Sequence, residues 1–569
     1  MAFQISPGVN VSEIDNTTVV PSVLTTAGAF AGTFTWGPVN VLKLISNEID
    51  LVKYFAPKGP DTDSTVSFFT ASNFLSYGNN LQLVRAVGDA SNNATSNNSG
   101  IQILNESEFE QAYLLSNNSD ALGSFMGRYP GALGNSIEVQ VCAKTSEFAT
   151  WDYANYFQSA PGTSDYAQAA GGENDEMHIV VIDRGAAITG VAGTVLETYG
   201  YVSKAFDAKL NGVTNYYKQV IFNQSKWVYA VDPVEYANTV ATWGTTAANT
   251  TFFSPTTIKV VSLANGSDDA PSNGNLEMAY DIFSNKESVD ISLVLTGDAD
   301  NTLQDYIIAS IANPDPLTNA RRDCVVFVSP PQAAVVNNSG SETLDVKDWA
   351  DGLTHSSYVF ADSGWKYQFD KYNNTYRWIP LNADTAGLCV VTDAVRDPWF
   401  SPAGFGRGQV KNCIKLAWNP AKLDRDTLYS AGVNPVVSFP GQGVVLYGDK
   451  TLQSKPSAFD RINVRRLFIQ IEKSIANAAK FQLFEQNDET TRAQFVALIE
   501  PYLRQVQGRR GITDFKVVCN TTNNTSQVID ANQFVGDIYI KPTRSINFIQ
   551  LNFVAVATGV DFTTIVGVA

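Results

Sequence analysis

Toward the end of the chain, apolar positions fall on a helical period. Val464, Leu467, Phe468, Ile471, Ile475 and Ala479 recur at steps of three and four, which predicts a helix with one core-facing stripe. Ser457, three residues before Asp460, is a variant of the capping box and sets the expected start of that helix. Phe495, Leu498, Ile499, Tyr502 and Val506 give a second stripe over about 488–506. Pro501 lies inside it and predicts a kink or a break. The pattern then changes to β-formers, at Phe534–Ile540 and Ile546–Thr558, and Ile546–Val556 carries no charge. An uncharged strand at a chain end has to be paired or it is an aggregation hazard. The other end is extended too: Val9 and Val11 alternate, Ile14 follows, and no helical period is present. Two such ends can pair within a subunit or add strands to a neighbour's sheet.

Between the ends, short apolar runs alternate with helical spacing. Strands are expected at Ala27–Phe34, Asn40–Ile45 and Leu81–Val87, with a helix over Thr65–Tyr77 carrying Phe68, Phe69, Ser72 and Leu75. Gly88–Gly100 is polar and rich in Asn and Ser, and reads as a hinge at a domain boundary. Beyond it, strands are expected at Ile137–Val141 and Met177–Ile182, and a helix at Tyr199–Leu210. Val289–Leu295, Asp305–Asn313 and Asp323–Ser329 then read as strand, helix, strand, a parallel crossover that completes the sheet begun by Leu81–Val87. The segment 344–440, rich in Tyr, Trp and Phe, forms its lid. The expected architecture is multidomain, α/β and α+β, with nested insertions. It comprises an arm (1–20), a middle α/β domain (21–88 with 284–440), an inserted outer α+β domain (89–283) and a C-terminal inner domain (441–569).

A length of 569 residues requires several cores. Five cysteines, Cys142, Cys324, Cys389, Cys413 and Cys519, show no C-x-x-C spacing and read as reduced, buried thiols. Met1–Gln4 has no basic region leading into an apolar run, so no signal peptide is expected, and no apolar run is long enough to cross a membrane. The net charge is −17, yet Arg461–Arg510 holds nine Lys or Arg against five Asp or Glu. A basic island on an acidic chain suggests a local acidic partner. Nucleic acid is not expected, because the island lacks interleaved aromatics and the acidic remainder repels phosphate.

No catalytic, metal or cofactor site is expected. The two histidines, His178 and His355, fit no zinc or Ser-His-Asp pattern and read as structural. There is no P-loop and no G-x-S-x-G elbow. Gly404-Phe405-Gly406-Arg407-Gly408 lacks the dinucleotide spacing and reads as a turn. Asp298-Ala299-Asp300-Asn301 lacks the Gly and terminal Glu of a calcium loop, and Asp424-Arg425-Asp426 reads as a solvated helix turn.

Several stretches carry a resemblance. They are Ser6–Val9, Gln82–Val87, Tyr129–Gly134, Glu287–Asp290, Arg322–Cys324, Ser329–Pro331, Lys366–Asn373 with Arg377-Trp378, Ala386–Cys389, Ser401–Gly404, Thr521–Thr525 and Asn552–Gly559. By their order and spread the chain resembles the contractile tail sheath proteins of phages, of the T4-like kind. The match thins between about 89 and 280. The resemblance implies a non-enzymatic structural subunit that stacks as hexameric rings around a tail tube. Contraction would drive the tube through the host envelope during genome delivery. The implied partners are further copies of the chain, the tail tube protein, and baseplate and tail terminator proteins. The implied location is the virion tail, assembled in the host cytoplasm. The arms would pair with neighbouring subunits through Val9, Val11 and Ile14 at one end and Ile549, Leu551, Phe553 and Val554 at the other. Arg465, Arg466, Lys473, Arg504, Arg509 and Arg510 are the candidate tube-facing residues. Larger relatives carry a further outer domain near Asn92–Gly100, where this chain has a short polar loop. The alternatives are the sheath of a non-phage contractile injection device, and a hydrolase or carbohydrate-acting activity within 101–283.

Overall fold

Short runs of β-branched, aromatic and small apolar residues from widely separated parts of the chain meet in one sheet. The computed structural model describes residues 23–55, 63–97, 100–114, 122–232, 242–312 and 321–550. The chain opens with β1 (Gly28–Thr33), β2 (Lys43–Ile45), α1 (Asp63–Leu75) and β3 (Leu81–Ala86). A separate group follows: β4 (Ile137–Cys142), β5 (Glu176–Asp183), β6 (Thr194–Ser203) and β7 (Lys259–Ser262). The chain then returns through α2 (Asn273–Asp281), β8 (Leu293–Leu295), α3 (Asn301–Ile307), β9 (Val325–Val328) and β10 (Val359–Asp362). After these come β11 (Trp365–Asp370), β12 (Thr375–Pro380), α4 (Asn382–Val395), β13 (Lys415–Leu416), β14 (Val433–Asn434) and α5 (Ile462–Ala479). Elements up to Leu483 belong to one compact unit. A smaller unit, from Phe484, holds α6 (Glu489–Gly508), β15 (Ile512–Val518) and β16 (Asp537–Pro542).

The main sheet has seven strands in the order β14-β10-β9-β8-β1-β3-β2, parallel throughout except for β2 against β3. β8 and β9 are buried along their whole length, as strands covered on both faces must be. The crossover from β8 through α3 to β9 is the parallel unit expected from the sequence. α1 and α4 pack together on one face of the sheet, and α2 and α3 on the other. Close approach of α1 requires glycine in β1: a Cβ on Gly28 would meet the Phe74 ring at 2.6 Å. From the far face, Tyr280 of α2 donates its hydroxyl to the Leu295 carbonyl at 2.7 Å.

The second sheet is antiparallel, ordered β7-β4-β5-β6. Its core is built on Ile137, Val139, Val141, Ile179 and Val181. Trp36, from the connection after β1, is part of that same core. Its ring lies 5.5 Å from Tyr129 and 5.4 Å from Trp227, and its Nε1 donates to the Lys226 carbonyl at 3.2 Å. Arg85 of β3 is fully buried and donates to the carbonyls of Phe34, Gly37 and Pro130 at 2.7–2.8 Å.

The structure corrects several expectations. Tyr199–Leu210 is not a helix: Thr194–Ser203 is strand β6, laddered to β5 by pairs such as Tyr199 with Ile179. Tyr and Val at these positions are β-formers, and pairing across the sheet outweighs the helical spacing. The stretch 88–97 is not a solvated hinge. Asn93 is fully buried, its amide donating to the carbonyls of Ile103 and Gly127 and accepting from Ile103 N–H. Its polarity serves backbone groups that would otherwise be buried unpaired. Ser457 caps a short 3-10 turn, Ala458–Asp460, and α5 begins only at Ile462. In α5 the buried positions include Ile469 and Ala478, while Phe468 and Ala479 are half-buried. α6 runs through Pro501 without a break. Its buried stripe takes Leu503 rather than Leu498 or Tyr502.

Candidate functional site

The basic residues at the end of the chain separate by position. Arg465 is buried. Its guanidinium donates to Ser357 Oγ at 2.7 Å and to Tyr358 Oη at 3.2 Å. It also stacks 3.9 Å from the centre of the Phe459 ring and 4.2 Å from that of Tyr358. Burial pushes its pKa below the usual arginine value. Arg466 is buried against Asp393 at 2.6 Å. Burial opposes its charge, but the Asp393 carboxylate overrides this and holds its pKa above the ordinary value. Lys473 pairs with Asp290 at 2.9 Å and donates to the Ile291 carbonyl at 2.6 Å. These three side chains therefore fasten α5 to the main sheet region. Arg504, Arg509 and Arg510 on the smaller unit are exposed, with Arg504 paired to Glu500 one turn away at 3.3 Å.

The Arg466–Asp393 pair has a third member. Thr25 Oγ1 donates to Asp393 Oδ2 at 2.6 Å. The point where the described chain begins is thus tied to α4 and α5 together. No sequence pattern announces this cluster, because its members are 441 positions apart at the extreme.

In the smaller unit, α6 starts at the Asp488 cap, whose side chain accepts from Thr491 N–H at 2.8 Å. β15 and β16 form an antiparallel ladder and, among the described residues, pair only with each other. β16 begins later than the expected Phe534 because Phe534 is drawn onto Phe495, with ring centres 5.1 Å apart. Asn524 brackets Val535, donating to its carbonyl and accepting from its N–H at 2.8 Å each. After Pro542 the described chain to Gln550 joins no ladder, and Ile546, Phe548 and Ile549 are 77–83% exposed. Val9, Val11, Ile14, Leu551, Phe553 and Val554 lie outside the described residues.

The residues weighed for chemistry have structural partners. His178 is stacked on Phe157 at 4.2 Å, with Nε2 on the Ser159 carbonyl and Nδ1 accepting from Tyr201 N–H. Burial lowers its pKa. His355 Nδ1 lies 3.2 Å from the Leu452 carbonyl. Gly404 adopts φ +93° in the turn, and Gly408 N–H donates to its carbonyl at 2.7 Å. Asp300 caps α3 by accepting from Leu303 N–H at 2.9 Å. Asp424 accepts from Ala421 N–H at 2.9 Å, at the start of the helix Lys422–Ser430. Among the described residues no group of three His, Cys, Asp or Glu is placed to hold a metal, and no helix is long and apolar enough to cross a membrane.

Comparison with known proteins covers 99% of the chain. Residues 270–452 match the phage tail sheath protein central domain, and 454–555 the phage tail sheath C-terminal domain. The tail sheath protein of Vibrio phage KVP40 is 34% identical, with 99% of this chain and 100% of that protein aligned. That of Enterobacteria phage T4 is 31% identical, with 99% of each aligned. Among solved structures, the sheath tail protein of Desulfitobacterium hafniense shares the fold with a TM-score of 0.54 at 12% identity, over 95% of this chain and all of that one. The sheath tail protein of Listeria innocua does so with a TM-score of 0.53 at 11% identity, over 92% of this chain and 96% of that one. The chain belongs to the contractile phage tail sheath protein family, as a structural sheath subunit.

Proposed function

We propose that this subunit assembles as stacked six-membered rings around a tail tube, and that its two chain ends pair with neighbouring subunits. The observation that carries the reading is the open ladder of the smaller unit. β15 and β16 leave both outer edges without a partner among the described residues. A two-stranded ladder is marginal alone and gains most from added strands. The exposed Ile546, Phe548 and Ile549 lead directly into the uncharged run that ends at Val556. Strand addition through main-chain hydrogen bonds leaves the larger unit free to change its packing. Contraction then needs no nucleotide: it is a passage between two interface arrangements, triggered at the baseplate.

The nested organisation belongs to the same reading. Strands from before residue 88 and after residue 292 share one sheet, while β4–β7 form another. The alignment with the Vibrio phage relative runs over 698 positions against 569 residues here. That relative therefore carries residues this chain lacks, and we place them at the Asn92–Gly100 loop as a further outer domain. With Arg465, Arg466 and Lys473 committed internally, contact with the tube protein would fall to Arg504, Arg509 and Arg510. Baseplate and terminator contacts, and assembly in the host cytoplasm before incorporation into the virion, complete the proposal.

Electron microscopy of the purified full-length chain beside a deletion of residues 1–20 tests it. Striated tubes from the full chain, lost on deletion, are expected. Tubes of equal abundance from both would remove the N-terminal arm from the connectivity.

A further inference from the structure

One sheet in the larger unit is inside out. β11 pairs with β12 and β13 to give a three-stranded antiparallel sheet, and its two faces differ sharply. The inward face is polar and buried. Lys366 pairs with Asp384 at 2.8 Å, Gln368 accepts from Asn73 at 2.8 Å, and Asp370 pairs with Arg377 at 2.7 Å. The outward face is aromatic. Register places Tyr367 beside Trp378 and Phe369 beside Tyr376, with ring centres 4.7 and 5.2 Å apart. Phe369 is 45% exposed and Tyr376 50%. An antiparallel sheet with one wet face normally turns its polar residues to water. A contiguous exposed aromatic face marks an interaction surface.

The face is also cationic. Lys415 of β13 lies over both Tyr367 and Trp378, 5.0 and 5.5 Å from the ring centres. The complementary surface is in the same sequence. From Asp268 to Asp305 there are nine Asp or Glu against one Lys. On and around α2 and α3, Asp281, Glu287, Asp298 and Asp300 are exposed, together with Met278. α2 and α3 cover the face of the main sheet opposite to α1 and α4, whereas β11 and β12 lie on the α1 side, where Tyr372 contacts Phe68 and Phe69. One molecule cannot bring these two surfaces together.

We infer that the aromatic face of β11–β12, with Lys415, docks on the acidic α2–α3 surface of a second copy of this chain. The contact is head to tail, the heterologous kind that generates rings or helices instead of closed dimers. Tyr and Trp supply contact area at low entropic cost, and the lysine sets register against carboxylates. The inference rests on the sheath reading and adds to it a contact that does not involve the chain ends.

The test uses tubes assembled from equal parts of unlabelled and ¹⁵N-labelled wild-type chain. A zero-length carbodiimide couples lysines to touching carboxylates, and the mixed isotopes identify links between molecules. Lys415 is expected to couple across molecules to a carboxylate within 277–305. In parallel, Phe369→Ser with Tyr376→Ser is expected to raise the protein concentration needed for assembly about tenfold or more, with the thermal unfolding of the unassembled chain unchanged. Tubes in which Lys415 stays uncoupled or couples elsewhere, or a double variant that assembles like the wild type, would overturn the inference and leave the sheath reading standing. A wild-type chain that forms no tubes at any concentration would overturn both.

Discussion

Replacing Asp393 with alanine would leave the Arg466 guanidinium, only 4% exposed, without its carboxylate. Removing one partner of a buried pair costs about 3–5 kcal/mol, because the remaining charge stays desolvated. Asp393→Ala should lower the urea midpoint of the larger unit accordingly, and a loss under about 1 kcal/mol would contradict the pairing described. Arg504→Ala should change stability by no more than about 0.5 kcal/mol, since its partner Glu500 is a neighbour on an exposed helix turn. Both arginines belong to one basic stretch, and net charge treats them alike. What separates them is the partner and its setting: buried Asp393 with Thr25 for Arg466, and the exposed neighbour Glu500 for Arg504. The sequence carried the charge of Arg465, Arg466 and Lys473 but not their partners, which lie between 73 and 441 positions away for Arg466 alone. Periodicity gives no hint of this, since Arg465, Arg466 and Lys473 fall off the three-and-four spacing of the apolar stripe in α5.

At the scale of elements, the carboxyl ends of the parallel strands hold a buried polar group with a measurable pH signature. Asp362, at the end of β10, is fully buried. Burial pushes its pKa up to about 8, against the Gly364 N–H and Ser329 hydroxyl that favour its ionised form. A carboxyl raised in the folded state keeps its proton there after losing it in the unfolded chain. The folded state therefore binds more protons between about pH 4 and the folded value, and stability falls as pH rises through that window, by up to about 1.4 kcal/mol per unit. Asp362→Asn cannot titrate. The stability of the wild type relative to this variant should decline steadily from pH 5 to pH 8 in denaturant titrations, and a constant difference would contradict the assignment. The strands around Asp362 were legible because parallel strands covered on both faces read as unbroken apolar runs. Val325–Val328 is the clearest case. The inverted sheet was not legible. Lys366, Gln368 and Asp370 alternate with Tyr367 and Phe369, and alternation alone does not say which set faces inward. Tyr199–Leu210 fits helical spacing as well as β6, and only the ladder to β5 decides between them.

At the scale of the whole molecule, the question is whether the two sheets of the larger unit move and melt together. The polar stretch after β3 suggested a hinge, yet three features cross it. Trp36 inserts into the second core, Arg85 binds the Pro130 carbonyl, and Asn93 binds the carbonyls of Ile103 and Gly127. Each group is buried, so separating the sheets would expose a Trp and strand several hydrogen-bonding groups at once. The expected result is that, in hydrogen exchange along a denaturant series, β4 (Ile137–Cys142) and β8 (Leu293–Leu295) lose protection in one cooperative step. Trp36→Ala removes the ring that joins Tyr129 and Trp227 and should cost about 3–5 kcal/mol. In that variant β4 should open first, with β8 still protected, and the single step should become two. Separate opening of β4 and β8 in the wild type would show that the polar stretch acts as a hinge after all, and that Trp36 and Arg85 decorate the junction without coupling it.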